Sequence, residues 1–335
     1  MVGRRTPARR ALSAPPDTRP PEPGAAPRAD RDPQPEIEGL YGPRSEAWRL
    51  NREAALLLGA GPRALLLQVA HPLVAQGVAD HSDLRSDPWG RLVGTLRSYL
   101  RIVYGPASAA RAEIRRLNGL HRGVTGRVDD PGAALVAATY AARDPELALW
   151  VHATLIDSTL AAVDAWLGPV APDRRARFYA ETLVVGRLFG IPPNRLPPDI
   201  DAFDAYVAGM LGPSGPVHPT ATARDLARLI LRPSLPALVD RGPVARRLGD
   251  VAAPLAASLL ARVPAAATDW LFVPALGLLP ATTRAEYGLS WGARERAIDT
   301  WLVAAWRAWI GVLPERVRWF PQARAAFERA SAAPR

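Results

Sequence analysis

The sequence predicts an all-α fold, and three of its features lead to that prediction. From Tyr41 onward, apolar residues recur every three or four positions, which is the spacing of a helix with one buried face. Proline repeatedly stands where such stretches begin, a position at which its missing N–H is not needed. Alternation of apolar and polar residues is nowhere sustained, and no repeat of about 20 to 50 residues is present. At 335 residues and 48% hydrophobic, the chain can bury a sizeable core.

The first two predicted helices lie between residues 45 and 79. Ser45 is a suitable N-cap for a helix that runs to about Leu58. Gly59 to Gly61 would break that helix, and Pro62 would open a second one that continues through Ala79.

Further helices are predicted to start at proline and aspartate residues. The starts are, in order, Asp87-Pro88, Pro106, Asp144-Pro145, Asp173 for a helix through Phe189, and the residues after Pro197-Pro198. The last of these helices carries one apolar stripe, formed by Ile200, Phe203, Val207 and Met210. We expect a single helical domain over residues 40–325, followed by a short C-terminal tail at 326–335.

Residues 1–39 are predicted to form a disordered tail. They contain arginines near the start and a proline-rich stretch, without helical or strand periodicity. No apolar segment follows the arginines, so a secretory signal is not expected. The most apolar region, Val251 to Pro280, is interrupted by prolines and charged residues, so we expect no membrane-spanning helix. These features predict a cytoplasmic protein and leave peripheral membrane contact open.

The composition excludes several classes of function. The chain has no cysteine, which excludes disulfides, zinc-cysteine sites, iron-sulfur clusters and cysteine nucleophiles. It has no lysine either, which excludes Schiff-base chemistry and a lysine-type phosphate loop. The net charge of +10 fits an overall bias toward Arg, Ala and Pro, so we do not expect a nucleic-acid partner. The sequence does not indicate an oligomeric state.

Two of the five histidines are predicted to point inward from amphipathic helices. His121 continues a stripe formed by Ala110, Ile114 and Leu117. His152 shares a face with Leu149, Ile156 and Val163. Each would be a functional ligand or a core histidine that donates to a carbonyl or carboxylate, and both interpretations remain open.

His71 and His81 flank one helical segment. Pro72 biases His71 away from helix and predicts a kink, which would form the wall of a pocket or a local bend. The sequence Asp80-His81-Ser82 closes the same segment, where it would serve as part of a site or as a structural cap.

Three further residues are candidates for a polar site. Arg91 and Thr95 lie four apart and therefore share a helix face, either in a pocket or on a solvated surface. Glu181 is in register with apolar neighbours and is a candidate buried carboxylate, with Arg187 or a histidine as its expected partner.

A series of motifs in this sequence resembles the family of haem-dependent oxygenases that comprises rubber oxygenase (latex clearing protein) and the MpaB-type enzymes. The resemblance covers about residues 41–292. The motifs are Gly59 to Pro72, Val78-Ala79-Asp80-His81-Ser82, Gly90-Arg91-Leu92 with Thr95, Leu120 to Gly126, Ala142-Arg143-Asp144-Pro145, Trp150 to Leu155, Glu181, and Leu278-Leu279-Pro280 with Arg284, Tyr287-Gly288-Leu289 and Trp291.

The resemblance implies an all-helical fold with a globin-like core, haem b held by a histidine, and oxidation of an apolar, isoprenoid or lipid-like substrate by dioxygen. By this resemblance His121 matches the proximal haem ligand, with His152 as a neighbouring or alternate ligand, and Arg91 and Thr95 match polar residues on the opposite side of the iron. Rubber oxygenases have a lysine immediately before that threonine. This chain has Gly94 there, so a lysine-ligated resting state is excluded.

The remaining candidates receive roles within this hypothesis. His71 or His81 would transfer a proton, and Glu181 would fix a ligand histidine. The aromatic and aliphatic residues Trp270, Phe272 and Leu276 would line an apolar substrate site.

Two alternatives from other classes stay open. His71, Asp80 and His81 would form a non-haem metal site if they share a pocket. A non-catalytic protein would carry haem, or would dock on anionic membranes through an arginine-rich face with Arg174, Arg175 and Arg177.

Overall fold

The structure, a computed structural model, describes residues 36–134, 136–232 and 269–332. Over these ranges the chain is helical apart from one two-stranded sheet, which confirms the predicted all-α class. Residues 1–35 of the predicted tail lie outside the described residues. Its last part is ordered, because Glu36–Glu38 forms a 3₁₀ helix and Leu40 is buried.

The α-helices follow one another with short connections. In chain order they are α1 (Glu46–Asn51), α2 (Leu57–Ala70), α3 (Pro72–His81), α4 (Pro88–Tyr104), α5 (Ala107–His121), α6 (Pro131–Ala134), α7 (Pro145–Trp166), α8 (Pro172–Leu188), α9 (Ile200–Leu211), α10 (Ala221–Leu231), α11 (Val273–Leu278), α12 (Ala281–Glu286), α13 (Ala293–Ile310), α14 (Glu315–Arg318) and α15 (Pro321–Ala332). Two further 3₁₀ helices are Ala54–Leu56 and Asp269–Phe272.

Side-chain caps begin the helices at positions that the sequence predicts. Ser45 Oγ accepts the N–H of Trp48 at 3.1 Å at the start of α1. Asp87 and Asp144 begin α4 and α7 in the same way, by accepting backbone N–H groups at 2.9 Å. A capping side chain satisfies a donor that the helix leaves unpaired, so these local signals are sufficient to place a helix start.

The predicted break at Gly59 to Gly61 is wrong. α1 already ends at Asn51, and α2 runs through both glycines and Pro62. A Cβ atom at Gly59 would lie 2.8 Å from a methyl carbon of Leu278, so the glycine allows α11 to approach closely. Close helix packing, rather than helix termination, explains this glycine.

The predicted kink at His71 is confirmed. His71 has extended backbone angles (φ −75°, ψ 121°) between α2 and α3, and the axis turns by 104° there. Pro72 is the first residue of α3, and the steric effect of proline on the preceding residue accounts for the extended conformation.

The central helix of the core is α7, which packs against α1, α2, α8, α9, α11 and α13. Its Trp150 is fully buried, and its indole N–H donates to the Leu67 carbonyl at 3.0 Å. By length and composition α7 would be able to cross a membrane, but 61% of its apolar window is buried against the rest of the protein. Such burial is typical of the central helix of a globular core.

A buried arginine on α2, Arg63, forms hydrogen bonds to both α7 and α11. Arg63 on α2 is 5% exposed and donates from Nη1 to Asp157 Oδ2 at 2.6 Å and to Ser158 Oγ at 2.8 Å, both on α7. Its Nε donates to the Leu278 carbonyl on α11 at 2.8 Å. The guanidinium therefore has a charged partner and two neutral ones, as a buried cation requires.

The sheet lies between α5 and α7, and the sequence did not predict it. Its two strands, with α6 in the connection between them, are called the hairpin below. Strands β1 (Thr125–Arg127) and β2 (Thr139–Ala141) pair antiparallel, with Gly126 opposite Tyr140. Three residues per strand are too few to show a sustained alternation.

The helical domain extends beyond its predicted end at residue 325. α15 continues through Ala332, and Ala326 within it is fully buried, so the domain does not end at residue 325. Residues 333–335 lie outside the described residues.

The implied globin-like arrangement of the core stays a prediction.

Candidate active site

Arg91 and Thr95 on α4 form the hydrogen-bonded pair that their spacing predicts. Arg91 Nη1 donates to Thr95 Oγ1 at 2.7 Å, and the threonine hydroxyl donates to the Arg91 carbonyl at 2.9 Å. Arg91 Nε donates to Ser82 Oγ at 3.1 Å, a contact that the sequence did not predict. Two hydroxyls therefore orient the guanidinium, whose Nη2 makes no hydrogen bond to the described part of the chain.

His121 lies near this guanidinium. It is the last residue of α5 and is half-buried. Burial lowers the pKa of His121, and the positive charge of Arg91 lowers that pKa further. The imidazole is therefore neutral near pH 7, with a ring nitrogen available as a ligand. Within the described residues its ring has no hydrogen-bond partner.

The predicted inward stripe of α5 opens toward the surface at His121. Ala110 and Ile114 are buried, while Leu117 and His121 are half-buried, and Leu120 is 58% exposed. His121 is thus accessible at a helix end rather than enclosed in the core.

Asp80 and His81 meet at a tyrosine of the hairpin, Tyr140. The Tyr140 hydroxyl donates to Asp80 Oδ2 at 2.6 Å, and Gln76 Nε2 donates to both carboxylate oxygens at 3.0 and 3.1 Å. His81 Nε2 lies 3.0 Å from the same hydroxyl oxygen and 3.2 Å from the Thr125 carbonyl oxygen.

This geometry fixes the tautomer of His81. The hydrogen of the Tyr140 hydroxyl is directed at Asp80, and the carbonyl of Thr125 is only an acceptor, so His81 Nε2 carries a hydrogen and donates. The other ring nitrogen, Nδ1, is the one that can accept a proton. His81 is exposed, so this nitrogen is in reach of solvent.

His71 has a structural role at the start of α3. It is 5% exposed, and its Nδ1 accepts the N–H of Leu73 at 3.3 Å as the N-cap. Burial lowers its pKa to about 4, and the charge of His218 acts in the same direction. His218, which sequence reasoning did not single out, is therefore a neighbour of His71.

The alternative non-haem site is wrong. His71 and His81 lie at opposite ends of the ten residues of α3, which at 1.5 Å per residue separates them by about 15 Å. In the described ranges, no group of three or more His, Asp or Glu residues is placed to hold a metal ion.

His152 is buried on α7, as predicted, but it faces α8. It is 9% exposed, its Nε2 has no hydrogen-bond partner among the described residues, and a Cβ at Gly186 would lie 3.3 Å from that nitrogen. Burial lowers the pKa of His152 to about 4. A hydrogen bond to the backbone at Thr182 acts in the opposite direction and raises that pKa. The groups that act on His152 do not include His121, and the close approach of α8 leaves no room for a large ligand on Nε2.

The two buried histidines predict a pH-dependent stability. Because the pKa values of His71 and His152 are about 4 when folded and about 6.5 when unfolded, the unfolded chain binds protons first as the pH falls. Stability is therefore fully present above about pH 6.5 and is lost toward pH 4, by roughly 2 kcal/mol per histidine at about pH 5. Urea unfolding of the wild type and of His152→Gln, at about pH 7.5 and pH 5, should show a smaller pH effect in the variant. His71→Asn keeps a capping side chain and should also show a smaller pH effect than the wild type. Equal pH effects in all three proteins would contradict the prediction.

Glu181 has other partners than predicted. Its carboxylate accepts the N–H groups of Glu46 at 3.1 Å and Ala47 at 2.8 Å, at the start of α1. Burial raises its pKa, and these two hydrogen bonds oppose the shift. The expected pairing with Arg187 or a histidine is wrong, because the carboxylate caps a helix N-terminus.

The expected arginine-rich docking face is largely neutralised. Arg174 pairs with Glu46 at 2.7 Å, Arg175 with Asp164 at 3.0 Å and Arg177 with Asp173 at 2.7 Å. These ion pairs reduce the positive charge that this face would offer to an anionic membrane.

The three residues expected to line a substrate site are all partly exposed to solvent. Trp270 is 47% exposed, while Phe272 and Leu276 are half-buried. A cavity of about 510 Å³ lies elsewhere and is lined by Arg52, Glu53, Trp166, Leu167, Gly168, Pro169, Arg307, Ile310, Gly311 and Arg318. It contains none of the predicted site residues.

Comparison with known proteins identifies the family. Residues 48–313 match the family described as ER-bound oxygenase mpaB/B'/Rubber oxygenase, catalytic domain. No curated protein and no solved structure gives a significant match. The matched segment spans α1 to α13 and includes His121, Arg91 and Thr95. The chain therefore belongs to the mpaB and rubber oxygenase family, and its domain is an oxygenase catalytic domain.

Proposed function

We propose that this protein is a haem b-dependent oxygenase that uses dioxygen to oxidise an apolar, isoprenoid or lipid-like substrate, with His121 as the iron ligand. The observation that carries the proposal is the position of His121, a neutral imidazole without a hydrogen-bond partner among the described residues, near the oriented guanidinium of Arg91. The substrate class rests on the family description, which names rubber, an isoprenoid polymer.

The residues present fit a haem. Haem iron takes four of its ligands from the porphyrin and needs one side chain from the protein, so a cluster of several metal-ligating residues is not required. His121 satisfies the requirement, since its ring is accessible, neutral and unpaired within the described residues. His71 and His152 do not, because the first uses Nδ1 as a cap and the second faces Gly186.

Arg91 and Thr95 supply hydrogen-bonding groups to the same region. Arg91 Nε is held by Ser82 and Nη1 by Thr95. Its Nη2 bonds no atom of the described residues, and it would donate to an anionic propionate or to an oxygen atom of a bound ligand. When bound, haem supplies the activation of dioxygen. His81 Nδ1, at the solvent-exposed end of α3, is the ring nitrogen that would take up or release a proton.

Titration of the purified protein with haemin tests the proposal. A saturable Soret band at one haem per chain is expected, followed by dioxygen consumption when an isoprenoid alkene is added to the reduced protein. A saturated analogue of the alkene is the matched control and should give no consumption. Absence of a saturable band would overturn the proposal. Haem binding without dioxygen consumption for any apolar alkene would favour a haem carrier instead.

A further inference from the structure

The side chain of Tyr140 occupies a space that two glycines provide. On β1, a Cβ atom at Gly126 would lie 2.5 Å from the Tyr140 hydroxyl oxygen. On α3, a Cβ atom at Gly77 would lie 3.4 Å from the tyrosine ring. The ring packs between the hairpin and α3, and a larger residue at position 126 would displace the hydroxyl.

The hydroxyl of Tyr140 is also the point at which several polar groups converge. It donates to Asp80 and accepts from His81, and Gln76 holds the same carboxylate. Gln76 Oε1 in turn accepts the N–H of Asp130, beyond the first strand. A hydrogen bond to a carboxylate is about twice as strong as one between neutral groups, so this contact is a firm attachment between the hairpin and α3.

Tyr140 joins the hairpin to α3, and each of these two segments is connected to one residue of the candidate active site, the hairpin to His121 and α3 to Arg91. The hairpin follows His121 directly, since Val124 N–H donates to the His121 carbonyl at 3.2 Å and the Val124 carbonyl accepts the N–H of Ala142 at 2.9 Å. On the other side, Ser82 comes immediately after His81 and holds Arg91 Nε. A displacement of the hairpin from α3 would therefore change the position of His121 relative to Arg91.

We infer that Tyr140 is a positioning residue that, through its hydroxyl contacts with Asp80 and His81, holds the hairpin against α3 and so sets the position of His121 relative to Arg91. The inference rests on the proposed function, because it assigns this geometry to haem binding. Tyr140 itself need not touch the cofactor.

Tyr140→Phe tests the inference, since it removes the hydroxyl and keeps the ring. Tyr179→Phe is the matched control, because the Tyr179 hydroxyl is also buried and donates one hydrogen bond, to the Pro197 carbonyl at 2.6 Å. Haemin titration should show binding about 10-fold weaker in Tyr140→Phe and unchanged in Tyr179→Phe. Loss of a group that orients a metal ligand weakens metal binding by about 10- to 100-fold, and the lower value is expected here. Both variants should unfold at similar temperatures.

A second pair of variants displaces the hydroxyl without removing it. Gly126→Ala should weaken haemin binding as Tyr140→Phe does, because the new methyl group would lie 2.5 Å from the hydroxyl oxygen and push it away. Gly209→Ala on α9 is the control, because no atom lies within 4 Å of its added Cβ. In the haem-free proteins, amide hydrogen exchange at 125–127 and 139–141 should be faster in Tyr140→Phe and Gly126→Ala only.

The outcomes separate the inference from the proposed function. Weaker haemin binding together with faster hairpin exchange supports the inference. Faster exchange with unchanged haemin affinity would overturn the inference, because Tyr140 would then stabilise the hairpin without affecting the haem site. If the wild type itself binds no haemin, the proposed function fails and the inference fails with it, a result that the wild-type titration alone reveals.

Discussion

Replacing His121 with alanine is expected to abolish the saturable change in the Soret band that haemin shows on binding the wild type, and to weaken haemin binding by more than about 100-fold. The loss of groups that only orient a metal ligand already costs about 10- to 100-fold in metal affinity, so removal of the ligand itself should cost at least that much. The helix should remain intact, because His121 is the last residue of α5 and its ring makes no hydrogen bond within the described residues.

A matched control and a rescue make this experiment decisive. His218→Ala removes another half-buried histidine, one that neighbours His71 rather than Arg91, and it should leave haemin affinity unchanged. Free imidazole added to His121→Ala should restore much of this saturable change in the Soret band by entering the space of the missing side chain. If His121→Ala binds haemin as tightly as the wild type does, His121 is not the iron ligand.

Replacing Asp157 with alanine is expected to lower the free energy of unfolding by about 3 to 5 kcal/mol. The substitution leaves the Arg63 guanidinium, 5% exposed, without its charged partner. Its bonds to Ser158 and to the Leu278 carbonyl remain, but neither compensates a buried positive charge. Denaturant unfolding followed by tryptophan fluorescence measures the loss.

Two further variants test the explanation. Asp173→Ala breaks the exposed pair with Arg177 and should cause no measurable loss. The double variant Arg63→Met, Asp157→Leu removes both charges and should recover part of the stability that Asp157→Ala loses. An equal loss in Asp157→Ala and Asp173→Ala would contradict the view that burial determines the strength of the Arg63 contact.

The parts of the fold that the sequence predicts are those set by neighbouring residues. Ser45, Asp87 and Asp144 cap helices within three residues of themselves, so their role is visible in the sequence. The kink at His71 follows from the steric effect of the next residue, Pro72. The pair of Arg91 and Thr95 is likewise local, since residues four apart on a helix are neighbours.

The parts that the sequence does not predict depend on contacts between distant residues. Glu181 bonds the N–H groups of residues 134 and 135 positions away, and no local pattern distinguishes this from pairing with Arg187. Tyr140 bonds residues 59 and 60 positions away and lies on a strand too short to produce a period. The family resemblance identified His121 and Arg91, but their common environment became visible only when α4 and α5 were placed in space.

The Arg63 contact has a consequence for the synthesis of this protein. One of its partners, the Leu278 carbonyl, lies 215 residues further along the chain. At a translation rate of about 5 to 20 residues per second, Leu278 is added roughly 10 to 40 s after Arg63. The junction of α2, α7 and α11 is therefore completed late, and until then the nascent chain carries a hydrated guanidinium next to apolar surface that α11 will cover. Chaperone contact during translation should be concentrated in that interval.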